Sequence, residues 1–99
     1  MNQSINPLQL YDLVKQHALI IDLRDHYLYQ KQHIQNSINI PFQDFEKTSL
    51  NPQTPTYFLC QSGQIAKQLS LQLNKEGYHT AYINGGIQAF LSLPPHHYY

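Results

Sequence analysis

The stretch that decides the fold reads TYFLCQSGQIAKQLSLQL and occupies residues 56–73. Its first four residues are β-branched, aromatic and apolar, a composition typical of a buried strand. Cys60 follows immediately and opens a short polar loop. From Ile65 to Leu73 apolar residues recur every fourth position, which predicts an amphipathic helix that ends before Gly77. We therefore predict a strand over residues 56–59, a cysteine loop and then a helix.

The rest of the chain continues this alternation. We predict a helix that starts at Pro7 with Asn6 as its cap, and a last helix near residues 87–93. Between them we predict strands over residues 18–22, 37–40 and 80–83 and a helix over 25–32. Residues 43–56 are expected to hold at most one helical turn, around Phe45. This pattern indicates one α/β domain over residues 1–99, with a mainly parallel sheet and helices on both faces.

Composition excludes several classes of function. The 99 residues carry six basic and six acidic side chains, so no basic surface for nucleic acid or anionic membranes is expected. No apolar run is long enough for a membrane helix, and the N-terminus shows no secretory signal. The single cysteine cannot form an intramolecular disulfide, which favours a reducing, cytoplasmic location.

Cys60 lies where ligands bind in parallel sheets, at the carboxyl end of a strand and just before a helix. Backbone N–H groups of such a loop form a cradle for an anion and favour the thiolate over the thiol. Gly63 permits the positive φ that a curved loop needs. We expect a reactive, at least partly exposed Cys60. A small buried core cysteine is the alternative interpretation of this pattern.

Several segments resemble the single-domain rhodaneses, which are sulfurtransferases. The loop CQSGQIA at residues 60–66 resembles their active-site loop, and IDLR at 21–24 resembles their Asp-Val-Arg motif. HIQNSINIP at 33–41 and YINGGI at 82–87 are similar to two further family motifs. The similarity covers nearly the whole chain in order. It implies a rhodanese-like three-layer domain with a central sheet of about five strands.

The resemblance also implies a chemistry. Cys60 would take a sulfane sulfur from thiosulfate or a persulfide donor, hold it as a persulfide and pass it to a thiol or cyanide acceptor. A protein could also serve as sulfur donor or acceptor, and neither a metal nor an organic cofactor is required. Asp22 and Arg24 would support the site. Substrate would be bound by the backbone N–H groups of the active-site loop, which are those of Gln61, Ser62, Gly63, Gln64 and Ile65.

Two further functions compete with sulfur transfer. A cysteine phosphatase needs an arginine after the loop to hold phosphate, and position 66 is alanine, which disfavours it. A non-catalytic rhodanese-like binding module stays open because the loop carries no charge. The same lack of charge predicts weaker use of thiosulfate than of persulfides. We expect Arg24 to pair with Asp22 or Asp25, and we expect no metal site at His96 and His97.

Overall fold

The computed structural model describes residues 4–93, in which five strands alternate with four helices. The strands are β1 (Ser4–Ile5), β2 (Leu19–Asp22), β3 (Ile38–Asn39), β4 (Thr56–Leu59) and β5 (Thr80–Ile83). The helices are α1 (Leu10–Lys15), α2 (His26–Lys31), α3 (Gln64–Lys75) and α4 (Gly86–Leu91). Short 3-10 turns cover Pro7–Gln9, Phe42–Asp44 and Lys47–Ser49. In this part of the chain no helix is long and apolar enough to cross a membrane.

The sheet is parallel throughout, in the order β1-β5-β4-β2-β3. The chain moves outward from β2 to β3, returns to β4 beside β2, and then moves the other way to β5. The direction of winding therefore reverses between β2 and β4. Such a reversal leaves a crevice at the carboxyl ends of the two strands, which is where open parallel sheets bind ligands.

Two apolar cores cover the two faces of the sheet, so the predicted three-layer arrangement is confirmed. Helices α1 and α4 contribute Leu10 and Phe90 to one core, whereas α3 contributes Ala66 and Leu73 to the other. Strand residues alternate between them: Ile20 and Leu59 face the first core, and Ile21 and Phe58 face the second. This alternation explains why the strands are nearly continuous apolar runs.

The structure differs from the sequence-based expectations at two places. The strand β1 was not predicted from the sequence. It has only two residues, with Ser4 paired to Tyr82, and so it is too short to show a period-two pattern. The single helical turn expected around Phe45 is wrong. Two 3-10 turns flank that residue, which is itself extended and packs edge-on against Phe58 with ring centroids 5.5 Å apart. The loop therefore folds down onto the core through one aromatic side chain.

An ion pair joins the same loop to the end of α3. Lys47 donates a hydrogen bond to Glu76, which also accepts one from Gln72. The bond from Lys47 lowers the pKa of the Glu76 carboxyl, and the same bond raises the pKa of Lys47. The pair is exposed and so adds little stability, but it persists through the neutral range and weakens as acid protonates the carboxyl.

The cysteine loop is held by the first turn of α4. The N–H of Ile87 donates to the carbonyl of Cys60 at 2.9 Å, and the N–H of Gln88 donates to that of Gln61 at 3.1 Å. Gly86 makes this approach possible. A Cβ atom there would lie 2.4 Å from the Cys60 oxygen and 2.6 Å from the Gln61 oxygen, and φ at Gly86 is +65°. Only glycine fits this position.

We predict that Gly86→Ala destabilises the protein much more than Gly77→Ala. Both glycines have positive φ, but a Cβ at Gly77 would meet nothing within 4 Å. Gly77→Ala should therefore cost only the left-handed backbone strain, about 1–2 kcal/mol. Gly86→Ala should add the clash with the cysteine loop, about 1–3 kcal/mol more. Denaturant unfolding followed by circular dichroism measures both, and equal losses would contradict the packing described here.

Candidate active site

Cys60 directly follows the central strand β4, and its sulfur accepts two backbone hydrogen bonds. The N–H of Gly63 lies 3.2 Å from Sγ, and the N–H of Ala66, in the first turn of α3, lies 3.4 Å from it. Gly63 has φ of +93°, as the curved loop required. Successive backbone N–H groups directed at one atom form a concave site of the kind that binds anions.

Further N–H groups of the loop are available to a ligand. For those of Ser62, Gln64 and Ile65 the structure shows no acceptor among residues 4–93. They belong to the loop and to the first turn of α3, whose N–H groups have no partners within the helix. Within the described residues these three N–H groups therefore have no hydrogen bond that a ligand would need to break.

A cavity of about 260 Å³ opens beside the cysteine. Its walls come from the segments that follow β2, β3 and β4, together with α2 and the first turn of α3. This matches the crevice expected from the reversal of winding. The lining residues are Leu23, Arg24, Asp25, Leu28, Phe42, Gln43, Cys60, Gln61 and Ile65.

The expectation that Cys60 is at least partly exposed is wrong, because only 4% of the residue is accessible. It belongs to the apolar core that contains Leu23 and Ala66. The residue nevertheless contributes to the cavity lining, together with Phe42, whose N–H donates to the carbonyl of Leu23 at 3.0 Å. A reactant must therefore be slender enough to enter the cavity.

A buried ion pair supports the wall nearest the cysteine. The Arg24 guanidinium donates to both carboxylate oxygens of Asp22, with Nη2 to Oδ2 at 2.9 Å, and also to the carbonyl of Gln32 at 2.7 Å. Asp22 in addition accepts from the backbone N–H of Arg24 at 2.9 Å. The expected pairing of Arg24 with Asp22 is thus present, and Asp22 caps the turn that follows its strand.

The structure brings some of the predicted site residues to the cavity and not others. Cys60, Gln61, Ile65 and Arg24 line it. Asp22 is fully buried beneath Arg24, so it supports the wall without reaching a ligand. Ser62, Gly63 and Gln64 do not line the cavity, and any role they have depends on their N–H groups. His96 and His97 lie outside the described residues. Within residues 4–93 no three His, Cys, Asp or Glu side chains gather where they could hold a metal.

Sequence reasoning missed three contributors. Ala66 donates the second hydrogen bond to the sulfur, and its place in the first helical turn was the signal. Phe42 lines the cavity because it follows β3, and the carboxyl ends of parallel strands share one edge of the sheet. Gly86 supports the loop from behind. Nothing in the sequence around Gly86 indicates this contact with Cys60.

We predict that Arg24→Met destabilises the protein by about 3–5 kcal/mol, because it leaves the Asp22 carboxylate buried without a partner. Lys31→Met removes an exposed cation from α2 and should change stability by less than about 0.5 kcal/mol. The double variant Asp22→Asn with Arg24→Met should recover part of the loss. Measured free energies of unfolding of the variants test this prediction. If Arg24→Met and Lys31→Met cost similar amounts of stability, the stabilising role of the Asp22–Arg24 ion pair is refuted.

Comparison with known proteins identifies the family. Residues 6–93 match the rhodanese-like domain family. A Coxiella burnetii protein named thiosulfate sulfurtransferase GlpE is 25% identical over 99 residues, which cover 96% of this chain and 92% of that protein. The crystal structure of a rhodanese-related protein from Thermoplasma volcanium is 28% identical, with a TM-score of 0.80 over 93% of this chain and 95% of that chain.

The human single-domain sulfurtransferase TSTD1 shares the fold, with a TM-score of 0.77 at 17% identity over 95% of this chain and 99% of that one. The match to the family extends from the cap of the first helical turn to the residues beyond α4, so it includes the cysteine loop and the walls of the cavity. The chain therefore belongs to the rhodanese-like domain family.

Proposed function

We propose that the protein is a sulfurtransferase in which Cys60 accepts a sulfane sulfur, carries it as a persulfide and transfers it to a thiol or cyanide. The observation that carries this proposal is Cys60, which lines the cavity and whose sulfur receives two backbone N–H hydrogen bonds. Membership of the rhodanese-like family and a relative named as a thiosulfate sulfurtransferase support the same chemistry.

The first half-reaction loads the cysteine. The Cys60 thiolate attacks the outer sulfur of the donor, a bond forms between the two sulfurs, and the bond from the outer sulfur to the rest of the donor breaks. Its electron pair leaves with the departing group, as sulfite from thiosulfate or as a thiolate from a persulfide. No net oxidation or reduction of the protein and donor together takes place. Covalent catalysis of this kind splits one transfer into two steps.

The second half-reaction returns the cysteine to its starting state. A thiolate or cyanide attacks the outer sulfur of the Cys60 persulfide, and the sulfur–sulfur bond breaks with its electron pair on Cys60. The products are a new persulfide or thiocyanate. Because these 99 residues hold one cysteine, no second thiol among them can intercept the persulfide, and we propose an external acceptor.

The main chain supplies the electrostatics of both steps. The N–H groups of Gly63 and Ala66 stabilise the thiolate, and those of Ser62, Gln64 and Ile65 are proposed to bind the outer sulfur when negative charge develops on it. Burial of the sulfur, with 4% of Cys60 accessible, strengthens these interactions because the surrounding dielectric is lower than that of water. A lone reduced cysteine of this kind is suited to a reducing cytoplasm, which we propose as the location.

The proposal predicts that intact protein gains about 32 Da, one sulfur atom, when it is treated with a sulfane donor. The mass should map to Cys60 and return to its starting value when cyanide is added, with release of thiocyanate. Cys60→Ser should stay unmodified, because its hydroxyl does not attack sulfane sulfur. Mass spectrometry with thiosulfate and with an alkyl persulfide makes the measurement.

Absence of any adduct with either donor would contradict the proposal. It would favour the alternative, a binding module of the same fold whose uncharged loop no longer performs the reaction. A control with the folded Cys60→Ser protein separates true loading from sulfur attached elsewhere on the chain.

A further inference from the structure

We infer that the cavity selects small alkyl persulfides that carry an ammonium group, with Asp25 as the residue that determines this preference, and that it disfavours the thiosulfate dianion. This inference rests on the proposed sulfur transfer at Cys60. It follows from the charges that line the cavity, of which there are two: Arg24 and Asp25.

The positive charge of Arg24 is already paired within the protein. Its guanidinium donates to both oxygens of Asp22 and to the carbonyl of Gln32, and its side chain is only 6% exposed. Asp22 is fully buried against it and cancels its charge. Among residues 4–93, an anionic donor therefore finds neutral N–H groups at this site and no free cation on the cavity wall. Desolvation of a dianion is poorly offset by neutral contacts.

The negative charge of Asp25 is free. Asp25 is exposed and occupies the position before α2, where its side chain makes no capping hydrogen bond. Among residues 4–93 it forms no ion pair. The only uncompensated charge on the cavity wall within the described chain is therefore a carboxylate, which repels thiosulfate and attracts an ammonium group.

The remaining wall suits the carbon skeleton of such a donor. Leu23, Leu28, Phe42 and Ile65 are apolar, and Phe42 and Ile65 keep 47% and 44% of their surfaces accessible. Methylene groups of a short alkyl persulfide can cover this surface, while a volume of about 260 Å³ leaves room for only a small molecule.

In the transfer itself the ammonium group takes no part. The Cys60 thiolate attacks the outer sulfur of the protonated persulfide, the bond to the inner sulfur breaks, and the aminothiol leaves as its thiolate. The proton stays on the transferred sulfur, so charge and atoms balance. Asp25 acts on binding of the donor and is therefore a specificity-determining residue, not a catalytic one.

The test compares three donors in single-turnover loading, followed by the mass of the protein. Cysteamine persulfide carries an ammonium group, 2-hydroxyethyl persulfide has the same length without charge, and thiosulfate is a dianion. Each persulfide is generated from its symmetrical disulfide and sulfide. The proteins are wild type, Asp25→Asn and Asp12→Asn, the last removing an exposed carboxylate from α1 on the other face of the sheet.

We expect wild type to load from cysteamine persulfide about two- to fivefold more efficiently than from the hydroxyethyl compound, the range for one exposed charge pair. Asp25→Asn should abolish this preference and improve loading from thiosulfate, by a change in the apparent KM more than in the maximal rate. Asp12→Asn should behave as wild type. The preference should also shrink as salt is added.

Three negative results are distinguishable. If wild type loads sulfur from these donors but Asp25→Asn leaves their ranking unchanged, the assignment of Asp25 is wrong and the proposed sulfur transfer stands. If no donor loads Cys60, the proposed function itself is wrong. Faster loading of wild type from thiosulfate than from either persulfide would overturn the charge argument.

Discussion

The site depends on a contact between two stretches of backbone, the cysteine loop and the first turn of α4. Carbonyl oxygens of Cys60 and Gln61 are bonded to the N–H groups of Ile87 and Gln88, and Gly86 leaves the space for this approach. With its carbonyls fixed on that side, the loop presents N–H groups of Gly63 and Ala66 to the sulfur. The orientation of the cradle is thus determined by main-chain geometry, not by particular side chains.

The electrostatic character of the site depends on the same main-chain arrangement and on the charged side chains of the cavity wall. Dipoles of the loop stabilise negative charge on sulfur, whereas the one arginine on the cavity wall is neutralised by the fully buried Asp22. On the proposed function, such a site would hold a thiolate or persulfide, each with a single charge on sulfur. The exposed carboxylate of Asp25 is proposed to add a preference of opposite sign. Stabilisation of the reacting atom and selection of the donor would then rest on different groups.

Much of this could be predicted from the sequence because the signals were local. Apolar spacing of four from Ile65 to Leu73 identified α3, and the continuous apolar run before Cys60 identified β4. The strand β1 was not predicted because its two residues derive their structure from pairing with β5. The prediction of a helical turn around Phe45 was wrong for a related reason. Packing on Phe58 keeps this residue extended between two 3-10 turns.

The site residues likewise divide into those with a local sequence signal and those that depend on tertiary contacts. Cys60 and Gly63 were identified from the strand–loop–helix pattern, and Arg24 and Asp22 are close enough in sequence for their pairing to be expected. The burial of Cys60 was not foreseen, because it belongs to a core that includes residues remote in sequence, such as Ile21 and Leu23. The hydrogen bond from Ala66 and the support from Gly86 depend on three-dimensional packing. They could not be derived from spacing alone.

A crystal structure of the protein after treatment with a sulfane donor tests the central claim most directly. The account predicts one additional sulfur bonded to Cys60 Sγ at about 2.05 Å. It also predicts that this sulfur lies within hydrogen-bonding distance of N–H groups from Ser62, Gln64 or Ile65, with the contacts of the loop to Ile87 and Gln88 intact. An unmodified Sγ in fully treated crystals, or an added sulfur directed away from these N–H groups, would contradict it.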